Sequence, residues 1–202
     1  MHDDRNACAA RRLLPLALMV AAALALPACG GGGADPAPAA AAQAAPSAAN
    51  AATAADAGCG IPDFAQAMLK AVNDARAQAR VCGNQPYIAA APLAWNDRLF
   101  AAAAGHAGEM AQKNYFGHDS ADGSTFDKRL QAAGYRYLAA GENIAAGHAD
   151  IDAVMQGWLA SAGHCANLMN AQFKEIGVAC VQGIPGVSSY GTYWTMDLAA
   201  PR

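Results

Sequence analysis

The chain has no basic block. Its 13 Lys and Arg are outnumbered by 16 Asp and Glu, for a formal charge of −3. A nucleic-acid partner, whose phosphates demand a dense positive face, therefore finds no support. Long apolar runs are missing too. The most apolar one, Leu13–Leu26, is shorter than the roughly 20 residues that span a bilayer core. There is no Gly-x-Ser-x-Gly nucleophile elbow, no His-Glu-x-x-His, no P-loop, no dinucleotide fingerprint and no Cys-x-x-Cys pair. These gaps remove the usual signatures of serine hydrolases, zinc peptidases, nucleotide enzymes and four-thiolate zinc sites.

What is present begins with an export signal. Arg5, Arg11 and Arg12 give a basic start, diluted by Asp3 and Asp4, and Leu13–Leu26 supplies the apolar centre of a signal peptide. Leu26-Pro27-Ala28-Cys29-Gly30 resembles a bacterial lipobox, which makes Cys29 the lipidated residue; cleavage after Ala25 and release as a soluble protein is the alternative. The Gly30–Gly33 run and the Ala/Pro-rich stretch to Ala57 offer no large apolar side chain to bury and read as a tether. The expected division is a signal peptide at 1–28, a lipid-anchored flexible linker at 29–57 and one folded domain at 58–202. The expected location is the bacterial cell envelope, on the periplasmic or surface side.

Cys8 falls in the signal, leaving Cys59, Cys82, Cys165 and Cys180 in the domain. An even number in an exported domain points to disulfides. Cys59–Cys82 and Cys165–Cys180 are the expected pairs, because each brackets one compact segment. Cys165 follows His164 directly, but a disulfide outweighs a Cys/His nucleophile here.

The pattern along the domain predicts a helix from Pro62 to about Arg80, with Phe64, Met68, Ala71, Val72 and Ala75 inward. Asn96 caps a second helix over 97–114, with Leu99, Ala102, Ala103, His106, Met110 and Lys113 on one stripe. A third spans 125–133 and stops at Gly134. Residues 135–138 are extended. Asp150 caps a fourth helix, which ends at Gly163. Residues 175–181 and 190–198 read as an antiparallel hairpin. Helices preceding strands give an α+β class.

Three polar clusters stand out: Phe116-Gly117-His118-Asp119-Ser120, Gly141-Glu142-Asn143-Ile144-Ala145 and Ser161-Ala162-Gly163-His164-Cys165-Ala166-Asn167. Two imidazoles and a carboxylate brought to one cleft could hold a divalent metal or move a proton. With Leu93-Ala94-Trp95-Asn96, Phe173-Lys174-Glu175-Ile176-Gly177-Val178 and Tyr193-Trp194-Thr195-Met196-Asp197, their order resembles bacterial CAP (SCP-like) domain proteins. That superfamily includes cysteine-rich secretory, antigen 5 and plant pathogenesis-related proteins. The resemblance implies a three-layer α-β-α sandwich with a central antiparallel sheet, and an open cleft lined by two His and two Glu. His118, Glu142 and His164 match three of these positions. The fourth, three residues after Trp158, holds Ser161, which supplies no carboxylate.

Two His ligands, His118 and His164, predict weak, pH-sensitive Zn²⁺ binding. Glu142 is a candidate third ligand or a candidate base acting on bound water. The resemblance points more to binding of a metal, a lipid or an envelope polymer segment than to one reaction, and a monomer is expected. A metal-assisted, peptidase-like hydrolase with Glu142 as general base is one alternative, and an adhesion module with a vestigial cleft is another. Plainer roles stand beside these: a polar pair fixing two loops for His118 and His164, satisfaction of its own turn's N–H groups for Glu142, a core position for His106, an exposed one for His148, a structural hydrogen bond for Asp197, and turn formation or orientation of His118 for Asp119 and Ser120.

Overall fold

A computed structural model describes residues 57–202. The signal peptide, Cys8, the lipidation residue Cys29 and nearly all of the linker lie outside the described residues. Helix α1, Phe64–Arg76, buries Phe64, Met68, Val72 and Ala75. It starts after Asp63, whose φ of 50° breaks the helical path, rather than at Pro62. It ends at Arg76, whose side chain turns inward. The Nε of Arg76 donates to Ala91 O at 2.9 Å and its Nη1 to Leu168 O at 2.6 Å, tying the helix end to a distant segment. Arg80 already belongs to β1 (Arg80–Cys82), which pairs with β2 (Gln85–Tyr87).

A short strand, β3 (Ala94–Trp95), leads into helix α2, Asp97–Lys113. The Oδ1 of Asn96 accepts from the N–H groups of Arg98 and Leu99 at 2.9 and 3.3 Å, the cap expected of Asn at this position. Leu99, Ala102, Ala103, His106 and Met110 are buried on its inner face, while Lys113 is not. Helix α3, Phe126–Ala132, is held inward by Leu130, which is fully buried. That burial is worth roughly 1.5–3 kcal/mol, and it fixes the neighbouring Arg129.

Strand β4 spans Tyr137–Ala146, well beyond the four extended residues predicted. The hidden part, Gly141–Ala145, is buried on both faces and so lacks the alternation that marks a half-exposed strand. The fourth helix, expected to end at Gly163, ends at Ala160, and a further helix that was not expected follows it. Helix α4 (Ile151–Ala160) and helix α5 (Ala162–Met169) bend at Ser161, which takes an extended conformation. Asp150 caps α4 as expected, through Ala153 N at 2.8 Å.

Strands β5 (Glu175–Gln182) and β6 (Thr192–Pro201) form the expected antiparallel pair. The sheet order is β3-β5-β6-β4, antiparallel except for the β3–β5 contact. Val178, Cys180, Trp194 and Met196 face Met68, Val72, Trp158 and Leu168 on one side. Ile144, Ala179 and Tyr193 face Ala103, Ala107 and Met110 on the other. The result is an α+β fold in three layers, with α2 and α3 on one face of the sheet and α1, α4 and α5 on the other. Gly177 permits α2 to approach the sheet closely: a Cβ there would lie 2.0 Å from the backbone N of Phe100 in α2.

The disulfides correct the expected pairing. Cys59 joins Cys180 and Cys82 joins Cys165, with Cα separations of 5.3 and 5.4 Å. Cys59–Cys82 and Cys165–Cys180 are not formed. Residues 57–59 run parallel to the end of β5, where Cys180 N donates to Ala57 O and Cys59 N to Cys180 O. The β1–β2 hairpin packs against α5, bringing Cys82 onto Cys165. Both bridges therefore join segments that meet only once the layers assemble.

Candidate functional site

Glu142 sits mid-strand in β4, with a side chain only 1% exposed. A buried carboxylate needs partners for both oxygens. Oε1 accepts from His118 Nδ1 at 2.8 Å, and Oε2 accepts from Arg129 Nη2 at 2.5 Å. Because a carboxylate only accepts, the His118 proton lies on Nδ1 and the second ring nitrogen is left for a ligand. The ring is 52% exposed. Its hydrogen bond to Glu142 raises the imidazole pKa, with burial working the other way.

Arg129 was not anticipated from the sequence. Its Nη2 also donates to His118 O at 2.9 Å, and its Nη1 to Ser120 Oγ and Ser124 O at 3.1 and 3.2 Å. It therefore locks the His118 loop while neutralising Glu142. The available signal was a charge requirement: a carboxylate in an apolar strand needs a cation, and Arg129 lies on a short helix between His118 and Glu142. Ser120 thus partners Arg129 rather than the His118 ring.

His106 is a core residue, as expected for its stripe. Its ring is fully buried, and Nε2–H donates to Gly117 O at 2.9 Å, pinning the loop just before His118. Burial pushes its pKa down. Beside it, Tyr115 OH donates to Glu109 Oε2 at 2.7 Å.

His164 lies in the first turn of α5. Its carbonyl accepts from Asn143 Nδ2 at 3.1 Å, and Asn167 Nδ2 donates to Asn143 Oδ1 at 2.9 Å and to Glu142 O at 3.2 Å. The Gly-Glu-Asn cluster thus holds one imidazole through its carboxylate and the segment bearing the other through its amide. Burial lowers the His164 pKa, and repulsion from His118 adds to the effect. Ser161 and His164 share a hollow of about 320 Å³ with Phe116, His148, Trp158 and Tyr190; His118 and Glu142 do not line it. The structure thus gathers His118, Glu142 and Arg129 in one cluster, with Glu142 buried and the His118 ring half-exposed, while His164 and Ser161 line the hollow. Larger depressions lie elsewhere, one of about 730 Å³ along Tyr135, Arg136 and Arg202, but neither imidazole lines it.

A catalytic zinc does not fit these residues. Such a site takes three protein ligands and an open position. No group of three or more His, Cys, Asp or Glu gathers to hold a metal among the described residues. Both oxygens of Glu142 are already engaged.

Two plainer expectations also change. His148 is half-buried rather than exposed, its ring lying where a Cβ on Gly157 would come within 2.9 Å. Asp197 lacks the expected structural hydrogen bond at one oxygen: its Oδ1 is buried without a partner, as is Thr195 Oγ1 on the same face of β6.

Comparison with known proteins agrees with this fold. The profile of the cysteine-rich secretory protein family (CAP) matches residues 69–198. The chain is 36% identical over 107 residues to Bacillus subtilis YkwD, covering 52% of this chain and 38% of that protein. It resembles the crystal structure of an extracellular SCP-domain protein from Bacillus anthracis, with a TM-score of 0.54 and 34% identity over 69% of this chain and 44% of that one. An outer surface protein of Borrelia burgdorferi has the same fold, with a TM-score of 0.52, 16% identity and coverage of 68% of this chain and 95% of that one. The chain thus spans less than half the length of its Bacillus relatives.

Proposed function

The chain belongs to the cysteine-rich secretory protein family, and from that premise we propose that it is an exported, cell-envelope ligand-binding domain rather than a hydrolase. The observation that carries this reading is the state of Glu142. A general base needs a free oxygen facing the proton it takes. Glu142 has none, because His118 and Arg129 occupy both. What is exposed at this cluster is about half of the His118 side chain, with His164 near enough to feel its charge.

The carboxylate–imidazole pair is also the arrangement that orients a metal-binding His. Any Zn²⁺ is held by His118 and His164 alone, weakly, and mainly above the pH at which His118 loses its proton. The disulfides and the extracellular relative fit export. No helix among the described residues is long and apolar enough to cross a membrane. Residues 1–28 then act as the signal, with a lipid on Cys29 and 29–57 as the tether.

Zinc titration followed by NMR tests the site. Shifts at both imidazoles that vanish in His118→Ala/His164→Ala support the reading. Equal affinity in the double variant removes it. Peptide hydrolysis abolished by Glu142→Gln would favour the enzyme instead.

A further inference from the structure

The hollow beside His164 has a composition of its own. Phe116 and Tyr190 form its outer wall, 47% and 44% exposed, with ring centroids 6.1 Å apart. Tyr193, fully buried, backs Tyr190 edge-on at 5.7 Å. The floor is Ile144, Ala145 and the nearly buried Trp158. His148, Ser161 and His164 supply its polar lining. The absence of a side chain at Gly157 makes room for the His148 ring. Ser161 sits at the bend between α4 and α5, where its side chain caps neither helix.

No Asp, Glu, Lys or Arg lines this space. An anionic headgroup would find no fixed cation there, and a hard cation no carboxylate. Its volume, about 320 Å³, lies at the low end for ligand pockets, which suits one compact ring better than a long acyl chain. The walls ask for a ligand with an apolar C–H face and a rim of groups that both donate and accept hydrogen bonds. A pyranose has both. Its C–H face packs against the electron-rich face of an aromatic ring, and its hydroxyls match imidazole and hydroxyl partners.

We infer that this hollow is a subsite for one uncharged hexopyranose ring of a glycan chain, with Phe116 and Tyr190 as the stacking wall and His148, Ser161 and His164 as its hydrogen-bonding side. The inference rests on the reading that this face binds a ligand, and it names the class of that ligand. Recognition at the stacking wall does not need the free nitrogen of His118.

The test is an NMR titration of the full chain with cellotriose and with the N-acetylglucosamine trimer, using decanoate and inorganic phosphate as competing chemistries. The expected result is saturable shifts at Gly157, Ser161, His164 and the Trp158 indole with at least one trimer. Phe116→Ala and Tyr190→Ala should each weaken that binding about tenfold. Both residues are exposed, and unchanged spectra elsewhere confirm that each variant is folded. Arg136→Ala should stay within about twofold of wild type, because that exposed side chain lines a different depression. The inference is overturned if neither trimer shifts these resonances, if Phe116→Ala and Tyr190→Ala bind as wild type does, or if decanoate or phosphate binds there in preference. Failure of both trimers while zinc still binds, and is lost in His118→Ala/His164→Ala, removes the glycan and leaves the ligand-binding reading standing.

Discussion

Glu142 on β4 and Asp197 on β6 face each other across the strand pair, two buried acids on the same side of the sheet. They are not equivalent. Glu142 has His118 and Arg129 on its oxygens, whereas one oxygen of Asp197 is buried without a partner. Burial, and then repulsion from Glu142, push the Asp197 carboxyl well above its ordinary range. Of the two, Asp197 is the acid whose proton burial favours, and the Arg129 guanidinium lies on Glu142.

Asp197→Asn should therefore stabilise the protein at neutral pH. With a raised folded-state pKa, the native chain holds a proton that the unfolded chain releases, so stability falls as pH climbs above 3.8, the unfolded value. An amide has no such dependence. Thermal melts should show a higher Tm for the variant at pH 7 and a shrinking gain toward pH 3.8 and below. A lower Tm at pH 7 would show that Asp197 is ionised in the native state.

His118 and His164 should titrate on opposite sides of 6.5, the ordinary imidazole value. The raised His118 adds stability that is fully present below 6.5 and lost as pH rises through its folded pKa. The lowered His164 adds stability that is fully present above 6.5 and lost as pH falls through its own. Imidazole NMR titrations should place His118 above His164, and His118→Gln should flatten the loss on the alkaline side. Reversed order would sink the Glu142 hydrogen bond as the dominant influence on His118.

Arg129→Met should destabilise by about 3–5 kcal/mol, because it strands a buried carboxylate. Adding Glu142→Gln should recover part of that loss. Arg129→Lys should rescue incompletely, since an ammonium cannot fork to Ser120, Ser124, His118 and Glu142 together. Denaturant melts of the single and double variants give the coupling, and additive losses would rule out the pairing.

Non-reduced peptide mapping should find Cys59 linked to Cys180 and Cys82 to Cys165. Cys82→Ala/Cys165→Ala should lose about 2–5 kcal/mol. It should also broaden the resonances of His164, the residue before Cys165. Recovery of a Cys165–Cys180 peptide would refute the layered pairing.

Much of the domain was legible because local chemistry agreed with the fold. Asn96 and Asp150 announce their helices, and Val178 and Trp194 mark strands that pair as a hairpin. The three polar clusters carried the family and named both imidazoles and Glu142. What stayed hidden depends on contacts between layers. Strand β4 around Glu142 is Ala- and Gly-rich and buried on both faces, so no alternation betrays it. Gly163 reads as a helix stop, yet it lies in the first turn of α5, and the bend falls two residues earlier at Ser161. Arg129 becomes visible only when Glu142 is known to be buried. The nested disulfides defeat any argument from spacing, because Cys59 and Cys180 meet through a parallel bridge between segments 121 residues apart. The hollow needs Phe116, His148, Ser161 and Tyr190 from separate segments, and no short motif spans them.

The bond between Cys59 and Cys180 also has a mechanical meaning. Any pull on the chain ahead of Ala57 reaches the domain at Cys59 and passes directly into β5, which is flanked by β3 and β6. The domain cannot be peeled from that end one hydrogen bond at a time. Tension arriving there meets a covalent crosslink into the middle of the sheet.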